Sequence, residues 1–541
     1  MDQTNLSSNP AAQPQGPALS KLSNLLISSF EREEIKNQTK TGINVNRLVS
    51  EIATWYEKFR NAMDYREEEV VRRAAIERIL KRRFIFSLFG GGNGAKIGPV
   101  LMRELLWARY FPDASISDEE IKKVSDVIDL YLELREQLMA RKPDIKIKID
   151  PLIHELLSSH LEIMLNKSRD VELISNFIFH LLREKIVIKD DTQENRDIQV
   201  FIAVRRAFAK DDLPFLRFHL FEQYFGRLTK ENIHKVALDF SKVYQELERQ
   251  LNYPLKDRIV SYVKKQLPAL LIFAEILRKE RGATRALVDD TQKFRDTVFA
   301  VAQARYKTIA KKVRTAIVRS VIFILLTKFI FAFSVEATYD NIVVGHIQWN
   351  ALIVNIVAPP ILMVIASLFI RTPDIKNTKR IYDKIMSILF VDKPELDRPL
   401  IISLKPDKRN PVLNFIFTLL WWGSFVYIFY YMIHFLAELK FSPASQGIFV
   451  FFVAIIAFLT YRINQTAYSY TVFVRQNFLS PILDFFFTPI IKAGRKFTEG
   501  IAQINIFIYI FDYLIEMPFK EIFGFLEKWF FFLQTKREEL G

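Results

Sequence analysis

Two hydrophobic rhythms divide the chain. From Ser20 to about Lys312, apolar residues recur every three or four positions. Val45, Leu48, Val49, Ile52, Tyr56, Phe59 and Met63 draw one stripe along a helix. The stripe continues, bent or broken near Asp64, through Val70, Ala74 and Ile79 to the basic cluster Lys81, Arg82 and Arg83. Ser117 followed by Glu120 has the spacing of a capping box and opens a further helix. The same period predicts helices over 151–166, 169–187, 197–210, 232–251 and 255–279. No persistent strand alternation and no fixed-period repeat stands out. The reading for 20–312 is a large all-α region, one bundle or two subdomains, preceded by a disordered polar tail over 1–19. Its last helix, about 285–314, runs straight into the first long apolar run, either as a stiff coupling or as a plain linker.

Beyond that point the rhythm changes to long runs almost free of charge. Four of them, about 317–335, 349–370, 412–436 and 443–463, have the roughly 20 apolar residues that cross a ~30 Å hydrocarbon layer. Ser442 and Pro443 form the N-cap and first turn of the fourth. The connecting loops test the assignment. The stretch before the first run, RYKTIAKKVR, is strongly basic, and the loop after it has no Lys or Arg. The loop 371–410 has ten, and the loop between the third and fourth runs has only Lys440. This alternation predicts four spans with both termini on the cytoplasmic side of a cell membrane, or the equivalent side of an organelle membrane. The remainder, 464–541, reads as short helices cut by Pro481, Pro489 and Pro518. In it Ile522, Phe523, Leu526, Trp529 and Leu533 share one helical face, suited to the membrane interface or to packing. The fold class is therefore all-α: a helical cytoplasmic region over 20–312, a membrane bundle over 313–463, and interfacial amphipathic helices at the end.

Composition sharpens this picture. The 541 residues include 48 Phe and no Cys, and the formal net charge is +15. Lack of Cys excludes disulfides, thiolate catalysis and Cys-ligated metal. The basic surplus fits an anionic bilayer surface, with Lys311, Lys312, Arg314, Lys405, Lys408 and Arg409 as candidate lipid contacts. Nucleic acid is disfavoured, because no recognition motif accompanies the charge. The opening twenty residues lack the basic and apolar regions of a secretory signal.

Few residues bring chemistry. Lys328 falls near the middle of the first span, where an ionisable group is a functional candidate by default. No acidic residue is expected at mid-depth beside it, since Glu336, Asp340 and Glu438 fall at the outer edge; Asn350, Asn355 and His434 are the polar groups that could share a cavity with it. Pro359 and Pro360 sit at the centre of the second span and predict a kink, a device transporters use for substrate sites. The paired Trp421 and Trp422 lie inside the third span and suit packing. The run from Gly90 to Lys96 resembles a phosphate loop but lacks the Gly-Lys-Ser/Thr order. His154, Glu155 and His160 resemble a zinc motif with the wrong spacing, and Glu231 with His234 is a lone Glu-x-x-His pair.

No catalytic, cofactor or metal constellation emerges. The leading expectation is a non-enzymatic multi-pass membrane scaffold whose helical region binds a protein partner of unknown identity. The alternatives are a transporter or channel built on Lys328 and the kinked span, needing a homo-oligomer to close a pore, and a membrane-bound enzyme acting on lipid.

Overall fold

The structure is a computed structural model. It describes residues 18–32, 45–63, 70–87, 93–141, 149–166, 168–394, 398–405, 411–472, 480–502 and 517–539. The 1–17 part of the expected tail and the apolar run 504–515 lie outside the described residues. The described residues are 84% helical with almost no sheet, as the 3.6-residue period predicts.

In chain order the helices are α1 (Lys21–Arg32), α2 (Arg47–Met63), α3 (Val71–Ser87), α4 (Gly94–Trp107), α5 (Asp118–Arg141), α6 (Ile149–Leu165) and α7 (Asp170–Leu182). After strand β1 (Ile186–Lys189) come α8 (Gln193–Val204), α9 (Leu213–Phe225), α10 (Ile233–Leu251), α11 (Lys256–Glu280), α12 (Thr284–Asp289), α13 (Thr291–Phe331), α14 (Ala337–Tyr339), α15 (Trp349–Ser367) and α16 (Ile375–Phe390). Strand β2 (Leu400–Ser403) precedes α17 (Pro411–Glu438), α18 (Pro443–Ala467), α19 (Ser480–Ala502) and α20 (Met517–Glu538). These elements form two units. One comprises Arg32–Lys264, Arg398–Leu404 and Ile506–Gly541; the other comprises Met1–Glu31, Lys265–Asp397 and Lys405–Asn505.

The first unit is organised on α3. Its sequence, VRRAAIERILKRRFIFS, has apolar side chains all round and basic groups between them. Ala75, Ile76, Ile79 and Leu80 enter a core with Leu101, Leu105, Ile128, Leu134, Leu156 and Leu157 from α4, α5 and α6. The charged groups are paired with carboxylates where they stand. Arg73, fully buried, donates to Glu77, Ser158 and Asp212. Arg72 forks onto Glu162 at 2.7 and 2.6 Å, and Arg82 and Arg83 share Glu104. A helix carrying so much buried charge folds only if each guanidinium finds its carboxylate, because breaking one such pair costs about 3–5 kcal/mol. The capping box at Ser117 forms, with Glu120 N–H donating to the Ser117 hydroxyl at 3.3 Å and Ser117 N–H donating to the Glu120 carboxylate at 2.9 Å.

Two distant segments complete this unit. Strand β2 pairs in parallel with β1, in the register Ile186–Leu400 to Lys189–Ser403. Helix α20 lays Phe523 into a small core with Val49, Ala53 and Trp107, and the Trp107 indole N–H donates to Glu527 at 3.0 Å. The apolar face read from the sequence is thereby split: Phe523 is buried against α2 and α4, while Ile522, Trp529 and Leu533 stay exposed.

The second unit carries the four apolar helices. Candidate spans are the apolar end of the long helical stretch Thr291–Val343, then Trp349–Ser367, Phe415–Glu438 and Pro443–Tyr470. Their large apolar side chains face outward. On α17 alone Phe415, Leu419, Leu420, Trp422 and Val426 are each more than half exposed. Ten such side chains left in water would cost ~15–30 kcal/mol, more than the ~5–15 kcal/mol that holds a domain together. Hydrocarbon is the solvent that removes this cost.

In the first unit, His160 stands between Tyr131 and Phe218, with ring centroids 5.7 and 5.6 Å away. Burial, reinforced by the charge of Arg227, holds it down to about 4. Burial, with Lys81 next, does the same to His154. The unfolded chain takes up these protons near the ordinary 6.5 and the folded chain only near 4, so stability falls as pH drops through that window. We expect the unfolding temperature of the detergent-purified protein to fall from pH 7 to pH 5. The change should be smaller in His160→Phe, which keeps the ring packing and removes one of the two protons; an equal slope in that variant refutes the assignment.

Candidate functional site

The site with the most unusual chemistry lies among α13, α15 and α18. The helical path of α13 does not stop at the predicted edge of the span. It continues through a π-helical stretch, Ala332–Glu336, then α14 and a second π stretch, Asp340–Val344. This continuation places Glu336 on the same side as Lys328, two turns further on. The Lys328 ammonium donates to Glu336 Oε1, and both side chains are fully buried. The second carboxylate oxygen accepts from the Asn355 amide of α15 and from the Ser445 hydroxyl of α18, the latter at 3.2 Å. Phe452 presents its ring to Lys328 at 5.2 Å.

The expectation that Lys328 has no acidic partner at depth is therefore corrected. Glu336 was assigned to the outer edge because the apolar run ends at Val335. The unbroken helix carries it back over the lysine. Asn355, offered as a cavity group, does join the cluster. Its Oδ1 has no hydrogen-bond partner, and neither has Asp340 Oδ1 nearby in sequence. Asn350 is exposed. His434 is also elsewhere: its imidazole is exposed, stacked on Tyr430 and 3.5 Å from Glu438.

Pro359 and Pro360 lie on the buried face of α15 with Leu352, Asn355 and Met363, and α15 remains helical across them. Trp421 packs edge-on against Phe425 and Phe485, whereas Trp422 is mostly exposed.

At the polar ends of the spans a second cluster ties three helices together. Asn377, in the first turn of α16, donates to the Tyr306 hydroxyl at 2.7 Å and to the Tyr470 carbonyl at 2.8 Å; its own carbonyl oxygen accepts from Val472 N–H at 2.8 Å. Burial, partly offset by the Asn377 and Thr378 hydrogen bonds, raises Tyr306 above the ordinary tyrosine value. Arg305 donates twice to one carboxylate oxygen, Oε2 of Glu275 of α11, at 2.8 and 2.6 Å, and lies 5.7 Å from the Tyr470 ring centroid. Helix α1 docks at the other end of α16: the Ser20 and Ser23 hydroxyls donate to the Ile388 carbonyl at 3.1 Å, and Lys21 N–H donates to Asp392 at 2.9 Å. No local pattern marks these contacts, because the partners lie from 30 to 371 residues apart.

The basic candidates divide. Lys311, Lys312 and Arg314 are exposed on α13, and Lys405 is exposed after β2; Lys408 and Arg409 lie outside the described residues. The glycine-rich stretch is not a phosphate cradle where it is described. Asn93 caps α4, and Gly94 N–H donates to the Asp129 carboxylate at 2.6 Å, a charge that would repel phosphate. Glu155 is engaged by Arg217 at 2.6 Å, on a different face from His160. Among the described residues no group of three His, Asp or Glu stands ready for a metal.

Comparison with protein families, with curated proteins and with solved structures finds no match to this chain. The class rests on the molecule itself: an all-α protein with four helices long and apolar enough to cross a membrane.

The buried pair predicts a stability signature. Lys328→Leu leaves the Glu336 carboxylate desolvated without its cation, so we expect a loss of ~3–5 kcal/mol in detergent. Lys328→Met combined with Glu336→Gln removes both charges and keeps groups for Asn355 and Ser445, and should recover most of the loss. A single variant as stable as the native chain would show that the pair does not hold the bundle.

Proposed function

We propose that the protein is a multi-pass membrane scaffold without enzymatic activity, which holds a large helical unit against the cytoplasmic face and presents it to a protein partner. One observation carries this reading. The 41-residue helix α13 passes from the polar cluster at Tyr306 into the apolar layer without a break, so within the second unit the polar elements around Tyr306 are joined stiffly to the spans. The strand pairing supports the topology as well: β1 precedes all four apolar helices and β2 follows the second. Paired strands share one side of the membrane, which requires an even number of crossings between them. Two spans between β1 and β2 satisfy this, and the basic loops support the cytoplasm as that side. The exposed Lys311, Lys312 and Arg314 suit the anionic lipid of that leaflet.

The transporter reading loses its two supports. Lys328 is neutralised by Glu336 rather than waiting for a substrate, and α15 is not broken at its prolines.

Because the chain has no Cys, single cysteines report topology cleanly. In intact cells, His346→Cys and Lys440→Cys should react with an impermeant maleimide, and Lys189→Cys and Lys376→Cys only after lysis. Labelling of Lys189→Cys and Lys376→Cys on opposite sides would sink the topology. For the scaffold itself, a photo-crosslinking residue in place of the exposed Leu238 of α10 should trap one defined protein in native membranes. Crosslinks to lipid alone, or none, would overturn the reading.

A further inference from the structure

Helix α20 has two apolar sides, and the first unit uses only one of them. Phe523, with Leu526 and Phe530 beside it, packs into the small core of Val49, Ala53 and Trp107. Glu527, on the same side, accepts from the Trp107 indole N–H. About a third of the way round the helix runs a second stripe. Ile522, Phe525, Trp529 and Phe532 follow i, i+3, i+7, i+10 spacing and so share one face. Phe525 is 66% exposed, Phe532 51% and Trp529 47%. Trp529 and Phe532 stack on each other with ring centroids 6.0 Å apart. Other exposed large apolar side chains of this unit, such as Met139, Val187, Leu213 and Leu238, are scattered, as on any water-facing surface. The α20 stripe is contiguous and mostly aromatic.

Its chemistry and the covalent chain together say what covers it. Trp and Phe beside Lys and Arg are the side chains of a bilayer interface, where the rings sit at headgroup level. Cations border the stripe. Lys528 flanks Phe525 and Phe532, and Arg537 follows Leu533; both are exposed and have no acidic partner among the described residues. Lys536, in line with the stripe, is paired with Glu539, while Glu538 is turned away and accepts from Gln534 at 3.2 Å. Positive charge along an apolar stripe suits anionic headgroups. Lipid is also a surface that the chain keeps within reach. Residues 404–410 alone separate β2 of this unit from α17, which carries a candidate span, and that length of chain extends to ~28 Å at most.

We propose that the outer stripe of α20 docks on the surface of an anionic bilayer, with Phe525, Trp529 and Phe532 among the upper acyl chains and Lys528 and Arg537 at the lipid phosphates. A helix lying in the plane of the interface keeps these cations in the headgroup layer, so no charge enters hydrocarbon. Helix α20 then acts as a two-sided clasp: Phe523 holds it to α2 and α4, and the aromatic stripe holds the first unit to lipid. The inference rests on the reading that this unit stands against the membrane, and it names the contact that keeps it there.

The test uses the full-length protein in nanodiscs of phosphatidylcholine with phosphatidylglycerol. Because the chain has no Cys, a nitroxide on one introduced cysteine reports its own surroundings. It collides with oxygen, which concentrates in lipid, and with a nickel chelate, which stays in water. Compared with Gln534→Cys, on the exposed opposite side of α20, Phe525→Cys and Phe532→Cys should show several-fold more oxygen collisions and several-fold fewer nickel collisions. Leaving out phosphatidylglycerol should raise the nickel collisions at Phe532→Cys; protection that ignores the headgroup overturns the role given to Lys528 and Arg537. Nickel collisions at Phe525→Cys as frequent as at Gln534→Cys put the stripe in water and overturn the proposal. Few collisions of either kind overturn it too, in favour of a stripe packed on protein, such as a second copy of the chain. The topology labels Lys189→Cys and Lys376→Cys are read separately. With those two on one side and the stripe in water, this inference fails and the topology stands.

Discussion

The rest of the molecule depends on the solvation of four apolar helices. Their outward side chains are largely exposed among the described residues and would cost more in water than folding returns. Once hydrocarbon is the solvent, other features follow. Backbone groups must be satisfied within each helix, so the segments are helical throughout. Charge must be paired inside the bundle, and Lys328 and Glu336 do so. Polar closure is pushed to the ends, where Tyr306, Asn377 and the Tyr470 carbonyl join α13, α16 and the end of α18.

The two units solve one problem, buried charge, in different ways. In the first unit α3 carries a file of arginines through an apolar core, each matched by a carboxylate from another helix. The pairing directions are distinct, so the set fixes how α3 is rotated against α2, α4, α6 and the start of α9. In the second unit a single pair with two auxiliary donors does this work at the junction of α13, α15 and α18. Hydrophobic contact alone would let these helices slide. The polar contacts select one arrangement.

Much of the fold was legible because its signals are local. The helical period, the four apolar runs, the Ser117 capping box and the Ser442 cap all depend on residues within a turn or two of each other, and all four correspond to elements present in the structure. What sequence reading missed is non-local or lies at an element's end. Glu336 was misassigned because hydropathy ends at Val335 although the helix does not. The strand IVIK is four residues long and has a partner more than two hundred residues away, so alternation could not reveal it. Of the site candidates, Lys328 and Asn355 come together; His434 and Asn350 do not, since a residue's depth along a span says nothing about which face it occupies.

The pairing of β1 with β2 has a consequence for biosynthesis. Residues 186–189 leave the ribosome long before residues 400–403, and two membrane segments are translated between them. Helix α20, which closes the core around Trp107, is made later still. The first unit therefore waits, part-assembled and with an unpaired strand edge, until the bilayer has accepted its neighbours. Insertion comes before completion, and a chain arrested after the second span would be left with an open, adhesive surface.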